Sequence, residues 1–147
     1  MKIKSIFMIG VLVLTLVTAS AIYADTVVVG NSSFSIPDGY TVVENGTQTI
    51  LYNDDVAITM YQGPIIDPSE AKQKRISSGY TFIEDADYEY AGATINQQNY
   101  KSDGVYTCVY TLEKNNKTYI ITLNVDEKNE VPSNEDNPVT EIIRTLN

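Results

Sequence analysis

The chain has 147 residues with 10 basic and 19 acidic side chains, one cysteine and no histidine, for a formal net charge of −9. A field of that sign repels phosphate backbones and argues against nucleic acid as a partner. The missing histidine removes Ser-His-Asp triads, Cys-His pairs and histidine-based zinc sites, and a lone Cys108 can form no intrachain disulfide, so the fold must be held by packing.

Lys2 and Lys4 precede an apolar run from Ile6 to Val17, broken only by Gly10 and Thr15, and small residues follow at Ala19, Ser20, Ala21 and Ala24. Charge, apolar core and small-residue exit are the layout of a secretory signal peptide. Ala19-Ser20-Ala21 offers one cleavage site and Ile22-Tyr23-Ala24 another, with cleavage after Ala24 preferred. The competing expectation is an uncleaved N-terminal membrane anchor, since a spanning helix needs roughly 20 residues. Cleavage removes two lysines and no acid, which takes the charge to −11 and leaves residues 25–147 as a single domain. A secreted or extracytoplasmic location follows, with membrane contact only if the segment stays uncleaved.

Val27 to Val29 and Phe34 to Ile36 read as short strands around an Asn31-Ser32-Ser33 turn, and Pro37-Asp38-Gly39 as a second turn. Tyr40 to Glu44 and Thr47 to Tyr52 flank Asn45-Gly46, a dipeptide suited to a type I′ hairpin. Asn53-Asp54-Asp55 turns the chain into a strand from Val56 to Gln62. Asp67 then caps a helix that Pro68 opens, with Glu70 at capping-box spacing and Gly79 as its stop. Ala71 and Ile76 are its only apolar residues, so it should lie loosely on the sheet, with Lys72, Lys74 and Arg75 as the one basic spot of the molecule.

Phe82 to Tyr90 alternates Phe82, Glu84, Ala86, Tyr88 and Tyr90 on one face, and its second half reads as a strand. Ala93 to Lys101 is polar enough for an edge strand. An Asn115-Asn116 turn pairs Leu112 with Tyr119, Tyr110 with Ile121, Cys108 with Leu123 and Tyr106 with Val125, which puts all eight on one core face. The connector from Asp126 to Asn137 is acid-rich and reads as a loop. Asn137 caps and Pro138 opens a last helix, whose Val139, Ile142, Ile143 and Leu146 form a stripe that must be buried. The expectation is an α+β fold: an antiparallel sheet of about six to eight strands, with a short middle helix and a C-terminal amphipathic helix packed on one face.

Phe34-Ser35-Ile36-Pro37-Asp38-Gly39-Tyr40, together with this order of elements, resembles PsbP-like domains, in which a first core strand runs into a Pro-x-Gly-aromatic turn. Tyr40 stands where that family more often shows Trp. The resemblance implies a non-enzymatic accessory or binding protein outside the cytoplasm or in an organelle lumen, and it carries no binding residue across.

Without histidine, hydrolysis would rest on paired carboxylates, and Glu84, Asp85, Asp87 and Glu89 are the densest set. No catalytic residue, metal ligand or cofactor-binding residue is assigned. Calcium is the one ion whose oxygen chemistry suits the acidic turns at Asn53-Asp54-Asp55, Asp85-Ala86-Asp87 and Asn134 to Asn137, none of which has the full D-x-D-x-D-G loop. Tyr61, Tyr80, Tyr88, Tyr90 and Tyr100 are the tyrosines expected at the surface, where they can stack on sugars or grip a protein. Asn31, Asn45 and Asn116 head N-glycosylation sequons in predicted turns. The functional expectation is a secreted or surface-retained, non-catalytic binding or accessory domain. Its partner is an unidentified protein or small ligand outside the cytoplasm; the alternatives are an extracytoplasmic carboxylate-dependent hydrolase and a structural envelope component.

Overall fold

A computed structural model describes residues 26–132 and 136–147. The signal or anchor segment lies outside these residues, as do Asn134 and Glu135 of the Asn134 to Asn137 fragment. In chain order the elements are β1 (Thr26–Val29), β2 (Ser32–Ser35), β3 (Thr41–Asn45), β4 (Gln48–Tyr52), β5 (Val56–Gln62), α1 (Pro68–Ser77), β6 (Thr81–Tyr90), β7 (Ala93–Ser102), β8 (Val105–Lys114), β9 (Lys117–Asp126) and α2 (Pro138–Thr145). Seven strands form one antiparallel sheet in the order β3-β4-β5-β9-β8-β7-β6, and β1 and β2 form a separate hairpin. The fold class is the α+β arrangement expected.

The β8–β9 hairpin has the register read from the sequence, with Leu112 opposite Tyr119 and Cys108 opposite Leu123. Asn115 and Asn116 adopt φ of 54° and 60°, the left-handed pair that a two-residue turn requires. The β3–β4 hairpin turns one residue later than expected, because Asn45 still pairs with Gln48 and Gly46-Thr47 forms the loop. Gly46, at φ 59°, takes the left-handed position itself.

One face of the sheet carries the main core. Val42, Leu51, Ile58, Met60, Ile121, Leu123, Tyr110, Leu112 and Ile95 are buried there beneath Val27, Val29 and Phe34 of the β1–β2 hairpin and Val139, Ile142, Ile143 and Leu146 of α2. Backbone and hydroxyl bonds fasten the two covering pieces to each other: Ser35 N donates to Thr145 Oγ1 at 2.9 Å and Asn147 N to Ser33 O at 2.9 Å. Lys114, at the end of β8, donates to Ile143 O at 2.8 Å and Arg144 O at 3.3 Å. Its ammonium satisfies carbonyls that the end of a helix leaves open.

The opposite face is buried as well, which corrects the expectation that both helices pack on one face of the sheet. Gln98, Tyr100, Thr107, Val109 and Asn124 are all buried on that side. The cover over Gln98 and Tyr100 is α1: Gln98 Nε2 donates to Pro68 O at 2.9 Å, and the Arg75 guanidinium lies 5.6 Å from the Tyr100 ring centroid. The two helices therefore take opposite faces. Thr107 and Asn124 satisfy one another there through a 2.9 Å bond from Oγ1 to Oδ1, as buried polar groups must.

Two further expectations are revised around β6. The Ala93 to Lys101 strand is interior, paired with β8 on one side and β6 on the other, and β6 is the edge. The polar residues of β7 suit an interior strand that α1 covers at Gln98 and Tyr100 and that leaves Gln97, Asn99 and Lys101 half-buried on the other face. A bulge at Ile83 breaks the β6 alternation, so Phe82 pairs with Tyr100 while Glu84 pairs with Asn99. The extra residue turns Phe82 to the α1 face, where the Lys72 ammonium sits 3.5 Å from its ring centroid.

Candidate functional site

Beside α2 the surface opens into a depression of ≈ 750 Å³, bounded by Pro37, Asp38, Tyr40 and Asn53 on one wall and by Asp136, Pro138, Glu141 and Arg144 on the other. It shares Tyr90, Asn137 and Thr140 with a narrower cleft of ≈ 190 Å³, lined further in by Tyr88, Ile95, Tyr110 and Ile143. The result is one groove with an acidic mouth and an aromatic floor.

The groove exists because three elements meet there. Pro37 to Tyr40 carries the chain from the β2 hairpin back to the sheet, and Gly39 adopts the φ of 86° that this turn needs. The end of β6 brings Tyr88 and Tyr90 to the α2 face, opposite Ile95 and Ala93. Asn137 fixes the third side: its Oδ1 accepts from Val139 N at 3.0 Å as the helix cap, and its Nδ2 donates to the Tyr110 hydroxyl at 2.9 Å. One buried amide thus seats the helix start on the sheet.

Burial pushes the Tyr110 phenol well above the ordinary tyrosine range, with the nearby Cys108 adding to it and the Asn137 bond opposing it. Burial is also the largest cause of the upward shift at Tyr40, against a lowering hydrogen bond from Asn53. At Tyr88 burial again leads, and its hydroxyl donates to Gln97 Oε1 at 2.8 Å. All three phenols therefore stay protonated at neutral pH. Tyr40 and Tyr88, open to solvent in part, offer hydroxyls on apolar rings, the chemistry of recognition by stacking and hydrogen bonding, while the buried Tyr110 supports the floor.

The tyrosines singled out from the sequence divide. Tyr88 and Tyr90 reach the groove, Tyr61 and Tyr80 are half-buried elsewhere, and Tyr100 is fully buried. Tyr80 and Phe82 both meet the Tyr100 ring edge-on, at 6.0 Å and 5.8 Å between centroids. Tyr110, read from the sequence as core, and Asn137, read as a helix cap and the end of an acidic run, both help to make the groove.

The candidate carboxylates do not face one another across a cleft. Glu84 stands on the α2 face of β6 and Asp85, Asp87 and Glu89 on the α1 face, all exposed. Amides hold three of them: Asn96 Nδ2 donates to Asp85 Oδ1 and Asp87 Oδ1 at 2.8 Å each, and Asn99 Nδ2 to Glu84 Oε1 at 2.6 Å. In the other acidic turn Asn53 Oδ1 accepts from Asp55 N and Val56 N, at 2.9 Å and 2.8 Å, and so builds the turn itself. No group of three or more acidic or cysteine side chains that could hold a metal occurs among the described residues. Of the sequon residues, Asn31, Asn45 and Asn116 are all exposed, and Asn31 Oδ1 accepts from Gln62 Nε2 at 2.7 Å.

A second polar constellation escaped sequence reasoning. Ser32 Oγ lies 2.6 Å from the Tyr119 hydroxyl and accepts from Gln62 Nε2 at 2.7 Å and Lys117 Nζ at 3.0 Å. A serine beside a lysine is a known nucleophile arrangement, but this hydroxyl is only 3% exposed and both its lone pairs are occupied. It clasps the β1–β2 hairpin to the sheet. Cys108, 1% exposed, has its thiol pushed up to about 12, by burial first and then by the charge of Glu84. It therefore stays protonated at neutral pH and packs as a small apolar group. Compared with known proteins, the chain matches no family model and no curated protein.

Proposed function

We propose that this chain is a non-catalytic binding domain that works outside the cytoplasm, and that its ligand is held in the tyrosine-lined groove beside α2. The observation that carries the reading is the groove itself: Tyr40, Tyr88, Tyr90 and Tyr110 converge on one concavity beside the capping amide of Asn137, with Asp38, Asp136 and Glu141 at its mouth. Such a lining grips by contact and hydrogen bonding. The Lys2 to Ala24 pattern supports the location, and the PsbP-like order of elements supports the accessory role.

The test is a set of thermal melts of the purified chain against calcium, cell-wall sugars and soluble glycans. A ligand specific for the folded state at 100 times its Kd stabilises by about 2.7 kcal/mol. The expected result is a shift with a sugar or glycan that Tyr90→Ala abolishes while the protein still melts cooperatively. A flat panel would overturn the small-ligand form of the reading, and a shift with calcium alone would move the site to the acidic turns.

Asp38, Asp136 and Glu141 at the groove mouth are what a carboxylate-dependent hydrolase would use. That reading requires release of product from a glycan that the groove binds. Assay of reducing ends after prolonged incubation separates it from simple binding.

A further inference from the structure

We infer that the free edge of β6 is a docking rail for a basic, extended segment of another protein, which joins the sheet as an added strand beside Glu84–Tyr90. β6 ends the seven-stranded sheet, with β7 its one neighbour. In an antiparallel ladder every second residue of an edge strand turns its N–H and C=O outward, a template for a further strand. Beyond the bulge at Ile83, the pairing from Glu84 opposite Asn99 to Tyr90 opposite Ala93 is unbroken. That leaves a straight run of about 24 Å at the usual rise of a strand. The other edge differs: β3 has five residues, and the β1–β2 hairpin is tied across it by Val28 N to Glu44 Oε1 and Gly30 N to Gly46 O, both at 2.8 Å.

The charge of this edge selects the occupant. Glu84, Asp85, Asp87 and Glu89 fall within six residues that contain no base. The ion pairs among the described residues engage Glu70, Glu127 and Glu141, and none of these four. Asn96 and Asn99 orient three of the carboxylates without neutralising them. A second copy is disfavoured, because β6 laid antiparallel on itself sets acid against acid, and like charges on facing strands are destabilising. A strand with lysine or arginine at alternate positions meets Asp85, Asp87 and Glu89 on the α1 face. Its intervening apolar residues meet Ala86 and the 38% exposed Tyr88 on the other. Backbone bonds then supply affinity and the carboxylates supply steering and selection. The inference uses the strand edge and its carboxylates, and it stands whether or not the groove takes a ligand.

The experiment adds a capped heptapeptide of alternating lysine and valine to the full chain and follows amide hydrogen exchange. Binding is expected to slow exchange of β6 amides between Glu84 and Tyr90, leaving those of β3 unchanged. A peptide of the same sequence with the backbone nitrogens of its lysines methylated keeps its charge but loses the donors that meet Asp85, Asp87 and Glu89, the outward-facing residues counted back from the Tyr90–Ala93 turn, and it should give no protection. The Asp85→Asn/Asp87→Asn variant should bind the parent peptide about tenfold more weakly, whereas Tyr40→Ala, at the groove mouth, should bind it unchanged. Absence of binding at millimolar peptide would overturn the inference. So would equal binding of the methylated peptide, protection away from β6, or self-association of the chain that protects the same amides.

Discussion

At the scale of single residues, the hydrogen bonds around Gln62 decide how the N-terminal hairpin is held. Gln62 spends its whole carboxamide on the hairpin, since Oε1 accepts from Asn31 N at 2.9 Å while Nε2 donates to Asn31 Oδ1 and Ser32 Oγ. Gly30 adopts φ +59°, and a Cβ there would run into that carboxamide, so glycine is required on both counts. Ser32→Ala strips a buried partner from Tyr119, Gln62 and Lys117 at once. A buried polar group left unsatisfied costs about 1–3 kcal/mol, and urea unfolding is expected to show a loss in that range. Combining it with Tyr119→Phe should cost less than the sum of the two single changes, because the second removes a hydroxyl that the first has already orphaned. A loss near zero for Ser32→Ala would mean that the clasp is open to water. None of this was legible in the sequence, where Asn31-Ser32-Ser33 reads as a turn and nothing marks Gln62 or Lys117 as its partners across 31 and 85 residues. Tyr100 was misplaced for a related reason: in the polar run of β7, the burial of Gln98 and Tyr100 depends on α1, which alternation alone does not report.

At the scale of elements, the two helices have similar caps and different anchors. Asp67 Oδ1 accepts from Ser69 N at 2.9 Å and Glu70 N at 3.3 Å, yet α1 buries Ala71 alone, with Ile76 42% exposed. Asn137 caps α2 and also binds Tyr110, over a helix that buries Val139, Ile142 and Ile143. Asp67→Ala should therefore cost about 0.5–1 kcal/mol, in the lower range of cap removals. Asn137→Ala should cost about 2 kcal/mol or more, since it leaves the Tyr110 hydroxyl unpaired as well. Denaturant midpoints of the two variants check the order, and equal losses would mean that the Tyr110 bond adds nothing. Both helices were readable because cap and proline agree, and in α2 the apolar spacing of Val139, Ile142 and Ile143 agrees as well. The β8–β9 register was readable because eight residues of one period surround a turn of two asparagines. The bulge at Ile83 was not, since an inserted residue leaves the sequence alternating while it reverses the face.

For the whole molecule, the sheet separates two unequal layers, and stability should divide the same way. On one face the β1–β2 hairpin and α2 close a continuous apolar core with buried aromatic and aliphatic side chains from six of the seven sheet strands, β3 to β5 and β7 to β9. On the other, α1 rests on Gln98, Tyr100 and Phe82 through one backbone acceptor and two cations over rings. Exposed cation–ring contacts are worth about 0.5–1 kcal/mol each, against about 2–5 kcal/mol for a large aliphatic side chain in a core. The α1 layer should therefore detach before the rest unfolds. Native-state hydrogen exchange tests this directly: α1 amides should exchange through a local opening at least about 2 kcal/mol below the global value and insensitive to low denaturant, while those of α2, β8 and β9 follow global unfolding. If α1 and α2 exchanged at one free energy, the buried polar face beneath α1 would have to contribute as much as the apolar core. Tyr100→Ala would then lower both helices together, whereas on the division argued here it loosens α1 first.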